Sequence, residues 1–123
     1  MTDHIPILFP MWLATQHGFF SIVQKESDLY FIRARVRQDL LNLKELVGLN
    51  VEIHEWPQAD YRYRIMTDLE SLLEVMVKMS MALDYLNFKE RIYEREEQSH
   101  KLGAYHGIWE LMSDLQFDEV VKA

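Results

Sequence analysis

The sequence contains no cysteine, which excludes a disulfide framework, a thiolate metal site and a cysteine nucleophile. Glycine and proline are scarce, at 4 and 3 residues, so the chain is neither loop-rich nor of low complexity. It also lacks a continuous apolar run of roughly 20 residues, the length that a membrane-spanning helix requires. The apolar start, Met1 to Ala14, holds Pro6 and Pro10 and no basic leader, so it reads neither as a span nor as a secretion signal. Positive charge is in deficit as well: 13 Lys and Arg face 20 Asp and Glu, for a formal net charge of -7. Such a balance disfavours indiscriminate binding along a polyanion such as duplex DNA. H-E-x-x-H, nucleophile-elbow and glycine-rich phosphate-loop motifs are missing, which removes the most legible routes to catalysis. These absences leave the expectation of a cytoplasmic protein without membrane association, cofactor or metal.

What is present is a globular composition: 123 residues, 49% hydrophobic, enough for one domain with a real core. Charge is unevenly placed. Residues 29–66 carry six basic and five acidic side chains, whereas residues 67–123 carry six basic and twelve acidic. Five of the seven arginines fall in two short alternating segments. From Leu29 to Arg37 one parity reads Tyr30, Ile32, Ala34 and Val36, and the other Leu29, Phe31, Arg33, Arg35 and Arg37. From Tyr61 to Met66 the same split sets Tyr61, Tyr63 and Ile65 against Arg62 and Arg64. Period-two alternation marks a half-buried strand, so the spacing predicts guanidinium groups gathered on one sheet face.

Strand signals run over 19–24, extended back through 11–15 with a bulge or bend at Gly18. Further strands are expected over 29–36, over 51–56 before Pro57, and over 61–66. Between them, residues 38–47 place Leu40, Leu43, Leu46 and Val47 at helical spacing, with Gly48 at the C′ position. Thr67-Asp-Leu-Glu70 reads as a capping box that opens a helix with Leu69, Leu72, Leu73, Met76 and Leu83 on one face. Asn87-Phe-Lys-Glu90 resembles a second box. From there to about Gln116 the chain is helical in propensity, interrupted near 99–103, and amphipathic through Tyr105, Ile108, Trp109, Met112 and Leu115. The order β-β-α-β-β-α-α is that of a circularly permuted ferredoxin-like sandwich. The expectation is therefore an α+β fold with a four-stranded antiparallel-type sheet and C-terminal helices. Residues 1–10 read as an N-terminal extension and 11–123 as a single domain. In this layout the second and fourth strands are central neighbours, which gathers Arg33, Arg35, Arg62 and Arg64 opposite the first two helices.

The ligand-binding candidates are Arg33, Arg35, Arg62, Arg64, His54 and Tyr61. Guanidinium forks take phosphate or carboxylate bidentately. Phe31, His54, Trp56 and either Phe19 or Phe20 are aromatic platforms of the kind that single-strand binders use for stacking. A competing reading keeps the arginines at home, paired with the acidic C-terminal residues Glu94, Glu96, Glu97, Glu110 and Asp114. His4, His17, His54, His100 and His106 show no metal-ligand spacing. Asp60 is placed to accept from the turn backbone or to pair with an arginine, and Asp84 to Asn87 is helix-stop and helix-start grammar. No catalytic residue is assigned. Val75, Val77, Met79 and Met81 widen the apolar arc of the helix after Thr67. Its second side calls for cover by the C-terminal helix or by another copy of the chain, as in a homodimer.

The run Met11-Trp-Leu-Ala-Thr-Gln-His-Gly-Phe-Phe-Ser-Ile-Val23 resembles the opening of an uncharacterised family of small bacterial and bacteriophage proteins. The likeness continues through Arg33-Ala-Arg35 with Asp39-Leu40, Ala59-Asp-Tyr-Arg-Tyr-Arg64, Asp84-Tyr-Leu-Asn-Phe-Lys89 and Tyr105-His-Gly-Ile-Trp109. In that family Met11 is the usual start. The resemblance implies no activity, and it groups the arginine segments with the other motifs.

The leading expectation is a small non-catalytic binding or regulatory protein. Its arginine-bearing sheet face would hold an anionic ligand (a nucleotide, phosphate or single-stranded nucleic acid) or an acidic partner. The alternative is an acidic, phage-type interaction protein that docks its C-terminal helices on a basic protein surface. A third reading, a phosphoesterase or nuclease, would group Arg62, Arg64, His54 and Asp60 around a phosphate.

Overall fold

The computed structural model describes residues 10–122, so the extension expected at 1–10, Pro10 apart, and His4 lie outside the described residues. Between Asp84 and Tyr85 the chain divides into two compact units. The first contains β1 (Met11–Thr15), β2 (Gly18–Glu26), β3 (Leu29–Ala34), α1 (Arg37–Val47), β4 (His54–Glu55), β5 (Tyr63–Thr67) and α2 (Leu69–Met81). Its strands form one antiparallel sheet in the order β1-β2-β3-β5-β4. Setting β1 aside, that is the strand order of the permuted sandwich, with the arginine strands β3 and β5 as central neighbours. The α+β class holds, and the sheet has five strands where four were expected.

The extra strand arises at Gly18, where the chain reverses instead of bulging. Thr15 Oγ1 accepts the N–H groups of His17 and Gly18 at 3.0 and 3.1 Å and donates to Gly18 O at 2.9 Å. One hydroxyl thus closes a two-residue turn, Gln16–His17, between β1 and β2. Glycine is needed at 18 because α1 comes close. A Cβ there would lie 2.5 Å from Asp39 Cβ and Cγ, and the Asp39 carboxylate accepts the Phe19 N–H at 3.1 Å. Gly18→Ala is expected to destabilise the protein by about 1–3 kcal/mol, the cost of overpacking a tight contact. Urea unfolding measures this, and an unchanged midpoint would contradict the contact.

One sheet face supplies the core. Phe20 and Ile22 of β2, Ile32 and Ala34 of β3 and Ile65 of β5 pack against Leu40, Leu43 and Val47 of α1 and Leu72 and Val75 of α2. Alternation alone selects them, since successive side chains on a strand point to opposite faces. Only His54–Glu55 of the expected third strand pairs in the ladder, while Val51 and Ile53 still pack against the core. Gly48 ends α1 in the left-handed region at φ 78°, its N–H bonded to Lys44 O, as the sequence predicts.

The start of α2 corrects the capping-box reading. Thr67 belongs to β5, and its buried Oγ1 has no hydrogen-bond partner. Asp68 is the N-cap, its carboxylate accepting the Ser71 N–H at 2.8 Å, and Asp28 accepts the Leu69 N–H at 2.8 Å. The competing oxygen of Asp68 sits one residue nearer the helix, and an ionised cap suits the positive end of the helix dipole. Backbone donation from Ser71 holds the Asp68 carboxyl below its ordinary range. A depressed folded-state value means the cap contributes at neutral pH and is lost as pH falls through that value. The difference in melting temperature between the parent and Asp68→Ala is therefore expected to shrink as the pH enters the acid range. A difference independent of pH would rule out a charged cap.

The second unit holds α3 (Phe88–Glu94), a 3-10 turn (Ser99–Lys101) and α4 (Leu102–Lys122). Asn87 caps α3 by accepting the Glu90 N–H at 3.1 Å, as expected. Phe88 and Tyr105 bring their rings to 5.1 Å, and Ile92, Gln98 and Tyr105 are buried. Of the apolar set predicted along α4, Tyr105 is buried whereas Ile108, Trp109, Met112 and Leu115 are exposed. Among the described residues no helix is long and apolar enough to cross a membrane.

Candidate functional site

Strand register lines up Trp12, Ser21, Arg33, Arg64 and His54 in a single row across all five strands. Directly opposed residues share a face, and this row lies on the side away from the α1–α2 core. Arg33 and Arg64 are therefore cross-strand neighbours at the middle of the sheet. Like charges placed directly opposite are destabilising unless something compensates them.

The compensation inside the chain is partial. Arg33 Nη2 donates to Ser21 Oγ at 2.7 Å, and Arg64 Nη2 donates to Tyr61 O at 2.6 Å. Both Nε atoms are buried without a hydrogen-bond partner. Among the described residues neither guanidinium forms an ion pair with a carboxylate; the ion-paired arginines of the two segments are Arg35, with Asp60, and Arg62, with Glu55, whose register position opposite Tyr63 is on the core side. Burial pushes Arg33 and Arg64 below the ordinary arginine range, and the charge of Arg33 adds to the effect on Arg64. Two positive charges are thus held close and partly desolvated, with no ion pair of their own among the described residues, although Asp60, paired with Arg35, offsets part of the shift at Arg33.

Aromatic rings take the place of carboxylates. Arg64 Cζ lies 3.9 Å from the centroid of Trp56 and 5.6 Å from that of Phe31, and those two rings meet edge-on at 6.0 Å. Arg33 and Arg35 lie over Tyr61 at 4.6 and 4.1 Å. Such contacts are worth about 0.5–1 kcal/mol when exposed and about 2 when desolvated. Parity within a strand puts Tyr61 with Tyr63 and Ile65, yet it stands among the arginines. The reason is that β5 begins only at Tyr63, so Tyr61 still belongs to the turn. That turn is held by Trp56 N to Arg62 O at 2.7 Å and Ala59 N to Trp56 O at 3.0 Å.

The remaining candidates divide. Arg35 pairs with Asp60 at 3.1 Å, and Arg62 pairs with Glu55 at 2.7 Å, a hydrogen bond that raises the Arg62 pKa. Both pairs are exposed, where an ion pair is screened by water, adds little to stability and exchanges readily. His54 is half-buried at the β4 end of the row. With Asp60 engaged by Arg35 and Arg62 by Glu55, the grouping of Arg62, Arg64, His54 and Asp60 is not drawn together by ion pairing. In the C-terminal region Glu94, Glu97 and Glu110 pair with Arg91, Arg95 and His106.

The face is not uniformly open. Ser21, Val23, Phe31, Tyr61 and Arg64 are buried, Arg33 is half-buried, and Arg35, Arg62, Trp12 and Trp56 are exposed. Access to the paired charges is thus at the Arg33 and Arg35 margin, with Arg64 beneath Trp56. Phe19 lies on this side, edge-on to Trp12 at 6.4 Å, and Phe20 lies in the core. Ser21 carried no sequence signal of its own. Its role follows from register, which the sequence leaves open until the hairpin turn is fixed.

Chemically the arrangement offers charge and directed N–H donors, which suits recognition of an oxyanion. Among the described residues no group of three or more His, Asp or Glu converges as a metal site. In the second unit an open cavity of about 520 Å³ is lined by Lys89, Glu90, Tyr93, Glu94 and Leu102. No protein-family model, curated protein or solved structure matches the chain.

Proposed function

We propose that the protein is a non-catalytic binding protein that holds a phosphate-bearing ligand at the margin of the Arg33–Arg64 pair. The observation that carries this reading is the pair itself: two partly desolvated guanidiniums, directly opposed, neither of them in an ion pair with a carboxylate among the described residues. An incoming oxyanion bridges Arg33 and Arg35, displacing Asp60 from a weak exposed pair, while Arg64 supplies positive potential from below. Charge interactions are stronger in a partly desolvated site than in water, which favours an anion there. Trp12, Phe19 and Trp56 flank the charges and suit stacking of an attached base.

Thermal shift measurements with pyrophosphate, nucleoside monophosphates and short single-stranded oligonucleotides test the reading and separate its ligand classes. A ligand at 100 times its dissociation constant adds about 2.7 kcal/mol to stability. The parent is expected to shift with at least one of these ligands and Arg33→Gln is not. Absence of any shift in the parent, or equal shifts in both proteins, removes the proposal.

One observation favours a second reading, an acidic docking helix. From Gly107 to Val121, α4 carries Glu110, Asp114, Asp118 and Glu119 with no lysine or arginine, and it exposes Ile108, Trp109, Leu111, Met112 and Leu115. Such a helix suits a basic, apolar-lined groove on another protein. Partners retained by the parent and lost with Glu110→Lys and Asp114→Lys support it; retention by both removes it.

A further inference from the structure

We infer that the protein associates as a two-fold symmetric dimer through the outer ridge of α2, the two copies of the helix running antiparallel across the axis. Leu69, Leu73, Val77 and Met81 recur every four residues and are 44, 55, 56 and 79% exposed. Leu72 and Val75, on the opposite side of the same helix, are buried against the sheet and α1. A helix apolar on two sides with one side uncovered is the signature of an interface.

A second copy is the occupant because the ridge is self-complementary, as an isologous contact must be. Reversing it about the level of Val75 sets Leu69 against the partner's Met81 and Leu73 against the partner's Val77. The charges alongside fit the same arrangement. Glu70, Glu74 and Lys78 each follow a ridge residue by one position and form a rail beside the ridge. Antiparallel contact brings like rails together, so Lys78 falls between the partner's Glu70 and Glu74, twice by symmetry, and these four attractive contacts outnumber the single Glu74–Glu74 approach at the axis. Parallel contact would set the rail against Leu72, Met76 and Ser80 instead, leaving Lys78 without a carboxylate across the interface. Chains of net charge -7 repel one another, so a local match of this kind is what permits self-association. The ridge lies on the helix side of the sheet, away from Arg33 and Arg64, and the dimer stands or falls independently of anion binding.

Sedimentation velocity of the full chain at physiological salt reads the outcome, with far-UV circular dichroism to confirm that each variant is folded. The parent is expected at twice the 14.8 kDa chain mass, and Leu73→Glu at the monomer mass. Lys78→Glu is expected to raise the dimer dissociation constant by about tenfold, a change of 1.4 kcal/mol. Inverting the whole rail with Glu70→Lys, Glu74→Lys and Lys78→Glu is expected to restore association. A parent that stays monomeric at every attainable concentration overturns the inference. So does a Lys78→Glu protein that dimerises as tightly as the parent, or a dimer broken by Ile108→Asp in α4 and not by Leu73→Glu.

Discussion

Phe20→Ala is expected to lower the free energy of unfolding by about 3–5 kcal/mol, the range for removing a large aromatic side chain from a packed core. Phe20 has no exposed surface and joins Ile22, Ile32 and Ile65 on the face covered by α1 and α2. Its loss removes burial and leaves a cavity that strands of an antiparallel sheet cannot close by sliding, because a one-residue slip reverses every side chain. Total stability of a domain this size is of the order of 5–15 kcal/mol, so the variant sits close to unfolding at ambient temperature. Phe19→Ala, one position along and on the other face, is expected to cost clearly less. Equilibrium unfolding in urea compares the two, and equal losses would mean that the face assignment of β2 is wrong.

Arg64 separates charge from geometry. Its hydrogen bond to Tyr61 O and its stacking on Trp56 both need the planar guanidinium, which lysine cannot reproduce. Arg64→Lys is expected to destabilise by about 1.5–3 kcal/mol, the worth of a charge-assisted hydrogen bond, while keeping the positive potential behind Arg33. Its stabilisation by pyrophosphate is therefore expected to persist. Arg64→Met keeps an apolar stem against Trp56 but removes the charge, and most of the pyrophosphate response is expected to go with it. Should Arg64→Met respond as fully as the parent, the charge of Arg64 has no part in ligand binding. Should Arg64→Lys lose the response too, geometry at Trp56, and not potential, governs the site.

Strand parity was legible because alternation has a period of two and needs no knowledge of the fold. It assigned Ile32, Ala34, Tyr63 and Ile65 to the core side and Phe31, Arg33 and Arg64 to the other. Parity failed where a strand had not yet begun, and Tyr61 therefore joined the arginines it was separated from on paper. The fifth strand was hidden because a Gly18 bulge and a Gly18 turn look alike until the Thr15 hydroxyl is seen closing the reversal. Competing oxygens at Thr67 and Asp68 made the α2 cap ambiguous, and only the helix start at Leu69 decides between them. The width of the apolar arc on α2 was plain in the sequence. Which of its residues face outward depends on the sheet beneath, so Leu69 and Leu73 read as core and are exposed. Likewise, two arginine stripes announce positive charge, whereas the retention of Asp60 and Glu55 by Arg35 and Arg62 depends on turn geometry.

Arginine side-chain Nε–Hε resonances, followed by NMR during titration with pyrophosphate, report on each guanidinium separately. Saturable shifts at Arg33 and Arg64, with Arg35 following as it leaves Asp60 and with Arg37, Arg91 and Arg95 unmoved, are what a partly compensated cross-strand pair that holds an anion requires. Uniform, non-saturating drift of all seven arginines, or silence at Arg33 and Arg64, would mean that the aromatic rings already meet the needs of both charges and that no anion is held there.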